Sequence, residues 1–206
     1  MFYICAFIFF RFMAASTYKH LVIFASGSGS NAQRLMEYFK DHPVVRVVAL
    51  FSNNPAAYAL ERARQFGVPA HVFNREAFRD GTVLRQVQAY QPDLIVLAGF
   101  LWLMPAAFVQ AYPGQIINIH PALLPKFGGK GMHGQYVHTA VLAHQEKESG
   151  ITIHYVNEHY DQGAILYQHS CPVESQDTPD LLAKRVLALE HTHLPRVVEE
   201  LLSGKK

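Results

Sequence analysis

The chain has 206 residues, half of them apolar and 17% charged, with a net charge of +2. That length suits one domain with a sizeable core, and the charge balance argues against nucleic acid or an anionic membrane as a partner. Two cysteines, Cys5 and Cys171, imply no disulfide framework and fit a reducing, cytoplasmic setting.

Residues 2–10, FYICAFIFF, form an apolar run. It is too short to span a bilayer, and no basic residues precede it as a signal peptide would require. MAASTYKH, beginning at Met13, leads into the first strand signal. Translation is therefore expected to start at Met13, with residues 1–12 an N-terminal extension and 13–206 a single domain.

Residues 20–26 read as a buried strand, followed at once by Gly27-Ser28-Gly29-Ser30-Asn31. A helix is predicted over 32–40, with Leu35, Met36 and Phe39 at helical spacing. Strands follow at 44–51, 70–73, 94–98 and 116–119. Helices lie between them at 56–66, 75–90 and 105–112. Further on come a helix at 136–145, strands at 151–156 and 165–171, and a closing helix over 178–202. Thr178 and Pro179 suit its N-cap and first turn, and Pro195 is expected to kink or restart it. Apolar strands alternating with helices predict an α/β fold. The expected architecture is a doubly wound, mostly parallel sheet with helices on both faces.

The glycine loop lies between strand and helix, the context that gives it meaning. Its glycines let backbone amides approach an anion at a helix N-terminus. A nicotinamide enzyme would need an acid at the end of the second strand to hold the ribose. That end reads Phe51-Ser52-Asn53-Asn54, so a phosphomonoester is favoured over a dinucleotide.

The segment 115–128, QIINIHPALLPKFG, supplies the chemistry. Asn118 and His120 share one face if strand period persists, at a strand end where open α/β sheets bind ligands. Asp161, in NEHYDQG, is either an ordinary turn aspartate or a partner that favours the charged imidazole of His120. The loop 126–134 is either a flexible flap or a solvated crossover. The segment 101–104, LWLM, either walls a pocket for a flat ligand or is core. Of His133, His138, His144, His154 and His159, none forms H-E-x-x-H and no cysteine pair supports them. No metal is expected, although His154 could face the same cleft as Asp161.

SGSGSN, VLAGF, INIHPALLPKF and SGITIHYVNEHYDQG occur in this order. Together they resemble the phosphoribosylglycinamide formyltransferase family, from about residue 20 to the C-terminus. The resemblance implies a Rossmann-like formyltransferase fold. It also implies transfer of a formyl group from 10-formyltetrahydrofolate to the amine of glycinamide ribonucleotide, in purine biosynthesis. Carried over by motif, Asn118, His120 and Asp161 fall on the family's catalytic trio. Gly29, Ser30 and Asn31 fall on its ribonucleotide loop, and Glu190 on a glutamate that holds the sugar hydroxyls. Arg75, Leu101, Trp102, Leu103, Met104 and Asn118 fall on the folate side. On this pattern Asn118 donates to a tetrahedral oxyanion, and His120, kept protonated by Asp161, either donates to the oxyanion or delivers a proton toward the leaving nitrogen, while a water held by Asp161 relays the proton that the amine loses. The partners implied are the two small molecules, with the protein a monomer or homodimer. Trp102 stands where many relatives carry arginine, and the loop after Lys126 is longer than the family's. Methionyl-tRNA formyltransferase and formyltetrahydrofolate deformylase share the central motif but carry extra domains for which this chain leaves no expected room.

Overall fold

The computed structural model describes residues 18–204. The expected extension at residues 1–12 lies outside the described residues. Seven strands form one sheet in the order β3-β2-β1-β4-β5-β6-β7. The strands are β1 (Lys19–Phe24), β2 (Val45–Ser52), β3 (Ala70–Val72), β4 (Leu94–Leu97), β5 (Ile116–His120), β6 (Glu148–Tyr155) and β7 (Ile165–Pro172). The first five pair in parallel. The last two are antiparallel to their neighbours. The predicted doubly wound, mostly parallel sheet is what the chain forms.

Strand β1 shows why. Leu21 and Ile23 enter one hydrophobic cluster, while Val22 and Phe24 enter another. Side chains on a strand alternate between faces, so both faces are covered and the strand reads as continuously apolar. On one face α1 (Ser30–Phe39), α2 (Tyr58–Gln65) and α7 (Pro179–Ser203) contribute Leu35, Leu60 and Val186 to the core. The opposite face is strongly aromatic. Phe24 stacks on Phe51 with ring centroids 5.3 Å apart and meets Phe100 and Phe108 edge-on. Trp102 extends this cluster toward the surface, 5.9 Å from Phe78.

One local expectation is corrected, and one of the two alternatives of another is excluded. The single helix predicted over 75–90 is two, α3 (Arg75–Arg79) and α4 (Thr82–Gln88). Gly81 takes φ 84° between them, and Thr82 N donates to Asp80 Oδ1 at 2.8 Å. The Asp-Gly turn chemistry outweighs the helical periodicity on either side. The closing helix runs unbroken through Pro195, so it does not restart there. Pro195 is buried, as are Leu194, Val197 and Val198, so packing holds both halves in one element. The remaining helices are α5 (Ala106–Ala111) and α6 (Gln135–Ala143). No helix among the described residues is long and apolar enough to cross a membrane.

The strand order reverses between β1 and β4. Such a switch point opens a crevice at the carboxyl ends of the strands. The glycine loop follows β1 there and Gly99 follows β4, joined by Ser26 N donating to Gly99 O at 3.0 Å.

Candidate active site

A cavity of about 470 Å³ lies over this crevice. Residues from distant parts of the chain line it. They include Gly29, Ser30 and Asn31, then Leu101, Asn118 and His120, and finally Asp161 and Glu190. A second cavity of about 570 Å³ is lined by Arg75, Trp102, Leu103 and Met104, with Lys130 and Glu158 beside them. Tyr160 lines both. The residues predicted for the ribonucleotide and the chemistry are thus together. Those predicted for the folate divide, with Leu101 and Asn118 in the first cavity and the others in the second.

Gly29 is the N-cap of α1, with φ 72°. A side chain there would be strained by the left-handed backbone and would put its Cβ 2.5 Å from Ala59 Cβ. Glycine is required on both counts. The N–H groups opening α1 have no helical partner and carry the positive end of the helix dipole. Asn31 Nδ2 donates to Glu190 Oε2 at 2.6 Å. Burial raises Glu190 to a pKa of about 7, even though the bond from Asn31 acts to lower it.

On β5, Asn118 and His120 share a face, as the period of two predicts. The antiparallel neighbour β6 sets His154 opposite Asn118 and Thr152 opposite His120. The Thr152 hydroxyl donates to Ala122 O at 2.7 Å and accepts from Leu124 N at 3.0 Å. These bonds hold the loop that leaves β5. Asp161 follows β6 in a tight turn, with φ 55°. Left-handed backbone at a non-glycine residue is uncommon and concentrates at functional sites. Gly129 N donates to Asp161 Oδ2 at 2.8 Å. Close behind it, a Cβ on Gly128 would lie 2.5 Å from Leu124 Cδ2 and 3.2 Å from Asp161 Cβ. The glycine-rich loop is therefore fastened onto the carboxylate, and Lys126 ties its start to Glu146 at 2.9 Å.

The trio converges. Asn118 Nδ2 lies 3.1 Å from His154 Nε2 and donates to Asp161 Oδ1 at 3.3 Å. His120 Nδ1 is 3.6 Å from Asp161 Oδ2. His120 Nε2 is 2.8 Å from Phe127 O. A carbonyl only accepts, so Nε2 carries the proton and Nδ1 of the neutral ring is bare. Burial pushes the His120 pKa below its ordinary value, outweighing the raising effects of Asp161 and the Phe127 carbonyl. Burial acts to raise Asp161. The bond from His154, the charge of His120 and the Gly129 amide outweigh it and hold the carboxyl below its ordinary range.

This corrects one expectation. Burial favours the neutral form of His120, and its one ring N–H, on Nε2, is directed at the Phe127 carbonyl rather than into the cavity. Its arrangement suits accepting a proton beside Asp161 better than donating one to an oxyanion.

In the second cavity the Arg75 guanidinium lies 4.5 Å from the centre of the Trp102 ring, a cation–π distance. An aromatic wall with Arg75, Arg79 and Lys130 around it fits a flat ring that carries an anionic tail. Tyr160 was missed at the sequence level. Its hydroxyl accepts from Leu103 N at 3.1 Å and links the two cavities. Its place directly before Asp161 was the available signal. His154 was noticed there, but its pairing with both Asn118 and Asp161 depends on strand register. Among the described residues, no cluster of three or more His, Cys, Asp or Glu side chains could hold a metal ion.

The formyl transferase family model matches residues 19–198. The chain is 44% identical over 187 residues to the chloroplastic phosphoribosylglycinamide formyltransferase of Arabidopsis thaliana, an alignment covering 87% of this chain and 64% of that one. It is 36% identical over 193 residues to the phosphoribosylglycinamide formyltransferase of Escherichia coli (strain K12), covering 90% and 88% of the two. The crystal structure of glycinamide ribonucleotide transformylase 1 from Symbiobacterium toebii superimposes with a TM-score of 0.84 at 33% identity, covering 93% of this chain and 91% of that one.

Proposed function

The chain belongs to the formyl transferase family, and we infer that it is an enzyme of purine biosynthesis. It moves a formyl group from 10-formyltetrahydrofolate to the amine of 5-phosphoribosylglycinamide. One observation carries this reading: an anion-binding loop and the Asn118, His120 and Asp161 trio line the same cavity. The relatives' names agree with it.

The phosphate rests on the amides of Gly29, Ser30 and Asn31, and Glu190 holds the ribose hydroxyls. Arg75, Trp102, Leu103 and Met104 receive the folate, whose reactive end reaches Leu101 and Asn118. The amine attacks the formyl carbon and negative charge develops on the formyl oxygen. Asn118 donates to that oxygen by redirecting the N–H now spent on its long contact to Asp161. The amine's proton passes to the His120–Asp161 pair, where an imidazolium forms between the Asp161 carboxylate and the Phe127 carbonyl. That proton then moves to the leaving nitrogen, and the products are the formamide and tetrahydrofolate. No covalent enzyme intermediate is needed. Residues 13–206 act as one domain on this reading, as a monomer or homodimer. Its location is cytoplasmic, which the scarcity of cysteine supports.

The test is an assay with both substrates. Formylated ribonucleotide is expected, in step with tetrahydrofolate. Formate release without the ribonucleotide would identify a hydrolase instead.

A further inference from the structure

The first cavity, proposed above to seat the phosphate, has no lysine or arginine side chain in its lining, where Asp161 and Glu190 stand as acids. A phosphomonoester dianion there meets backbone amides, so their aim decides how well it is held. Helix α2 sets that aim from behind the loop. Ala59 N donates to Gly27 O at 3.1 Å. Arg62 Nε donates to Ser28 O at 2.9 Å. In a trans peptide, C=O and N–H point in opposite directions. Drawing both carbonyls toward α2 therefore turns the N–H groups of Ser28 and Gly29 away from it, toward the cavity side.

Arg62 brings charge as well as geometry. Its guanidinium lies 4.8 Å from the centre of the Tyr58 ring. The neighbouring Glu61 pairs with Arg64 at 3.2 Å. Among the described residues, Arg62 has no carboxylate within ion-pair distance. An uncompensated cation thus backs the loop from outside, where it touches no substrate.

We propose that Arg62 is a positioning residue for the substrate phosphate: it orients the Ser28–Gly29 peptide toward the cavity and lends its charge through the loop. This rests on reading residues 27–31 as the phosphate seat. The experiment measures kcat, KM for each substrate and the inhibition constant of inorganic phosphate, in the unmodified protein, Arg62→Gln and Arg62→Lys. Inorganic phosphate is expected to compete with the ribonucleotide. Arg62→Gln should raise the ribonucleotide KM and the phosphate inhibition constant together, by about tenfold, the size of one hydrogen bond from a charged donor. The kcat and the folate KM should stay within about twofold, and Arg62→Lys should recover part of the loss by restoring the charge. If Arg62→Gln leaves both phosphate-dependent constants unmoved while phosphate still competes, the Arg62 role is wrong and the seat stands. A general loss of kcat and both KM values, unrelieved by Arg62→Lys, would likewise mark a merely structural residue. If phosphate fails to compete in the unmodified protein, the seat itself is misread and the Arg62 role falls with it.

Discussion

His120 Nδ1 and Asp161 Oδ2 face each other across 3.6 Å, two proton acceptors with no hydrogen between them in the resting protein. The contact is too long for a hydrogen bond. It becomes a strong ion pair only once a proton arrives. On the proposed mechanism this is a seat for the proton that the attacking amine must lose, and the following expectations derive from it and its surroundings.

Asn118→Ala and His120→Ala should each lower kcat by ~10²–10³, the usual cost of one lost electrostatic partner in the transition state. Circular dichroism should show the fold intact. Turnover within a few-fold of the unmodified enzyme would remove the residue from the mechanism.

Replacing Asp161 by Asn tests the coupling. The Asp161 charge raises the His120 pKa against the burial that lowers it. Without that charge His120 should protonate at still lower pH, so the acid limb of the rate profile should shift down while the plateau falls. An unmoved acid limb would disconnect the two residues.

His120 also links stability to pH. Its folded pKa lies below the ordinary 6.5. Above that value the ring is neutral in both states and its burial is uncharged. As pH drops below 6.5, the unfolded chain takes the proton first, so stability drains away toward the folded pKa. Measured against His120→Gln at each pH, so that every other titrating group cancels, the urea midpoint of the unmodified protein should fall between pH 7 and 5. Asp161 acts in a lower window. Its folded pKa is held below 3.8, so its contribution is present above 3.8 and lost as pH falls through the folded value.

Glu190 has the opposite sign. Its pKa rises from 4.5 to about 7 on folding, so the folded state keeps a proton that the unfolded chain releases. Stability falls as pH rises from about 4.5 to 7, and the ionised group then costs of order 3 kcal/mol. Glu190→Gln should remove that slope, raise the melting temperature at pH 8 and weaken ribonucleotide binding. A melting curve with the same pH slope would show that Glu190 is not its source.

Trp102→Ala should raise the KM for the folate by about three- to tenfold, through loss of the aromatic wall and of the cation–π contact that steadies Arg75. The ribonucleotide KM should not move, because Trp102 lines the second cavity and not the first. Equal changes in both constants would place the folate elsewhere.

The sequence was most readable where a period decides the structure. Val22 and Phe24 opposite Leu21 and Ile23 announce a strand buried on both faces, and the glycine loop announces the helix that follows. Asn118 and His120 could be put on one face by counting. What could not be counted was the direction of β6. Its antiparallel pairing carries His154 and Asp161 to the site, and chain reversal leaves no periodic mark. The charge state of His120 was also hidden, since it depends on burial rather than on its partner alone. The Asp80-Gly81 break was visible as a turn signal, but helical spacing on either side masked it.

The pairing of Asn118 with His154 and of His120 with Thr152 makes the reaction centre a question of parity. Deleting one residue from β6 would swing Ile153 or Tyr155 into the place of His154, because strand side chains alternate faces. Substitutions along β6 can be graded in their harm, but a one-residue insertion or deletion cannot. Length variation within the family should therefore gather in the 126–134 loop and stay out of the span between Thr152 and Asp161.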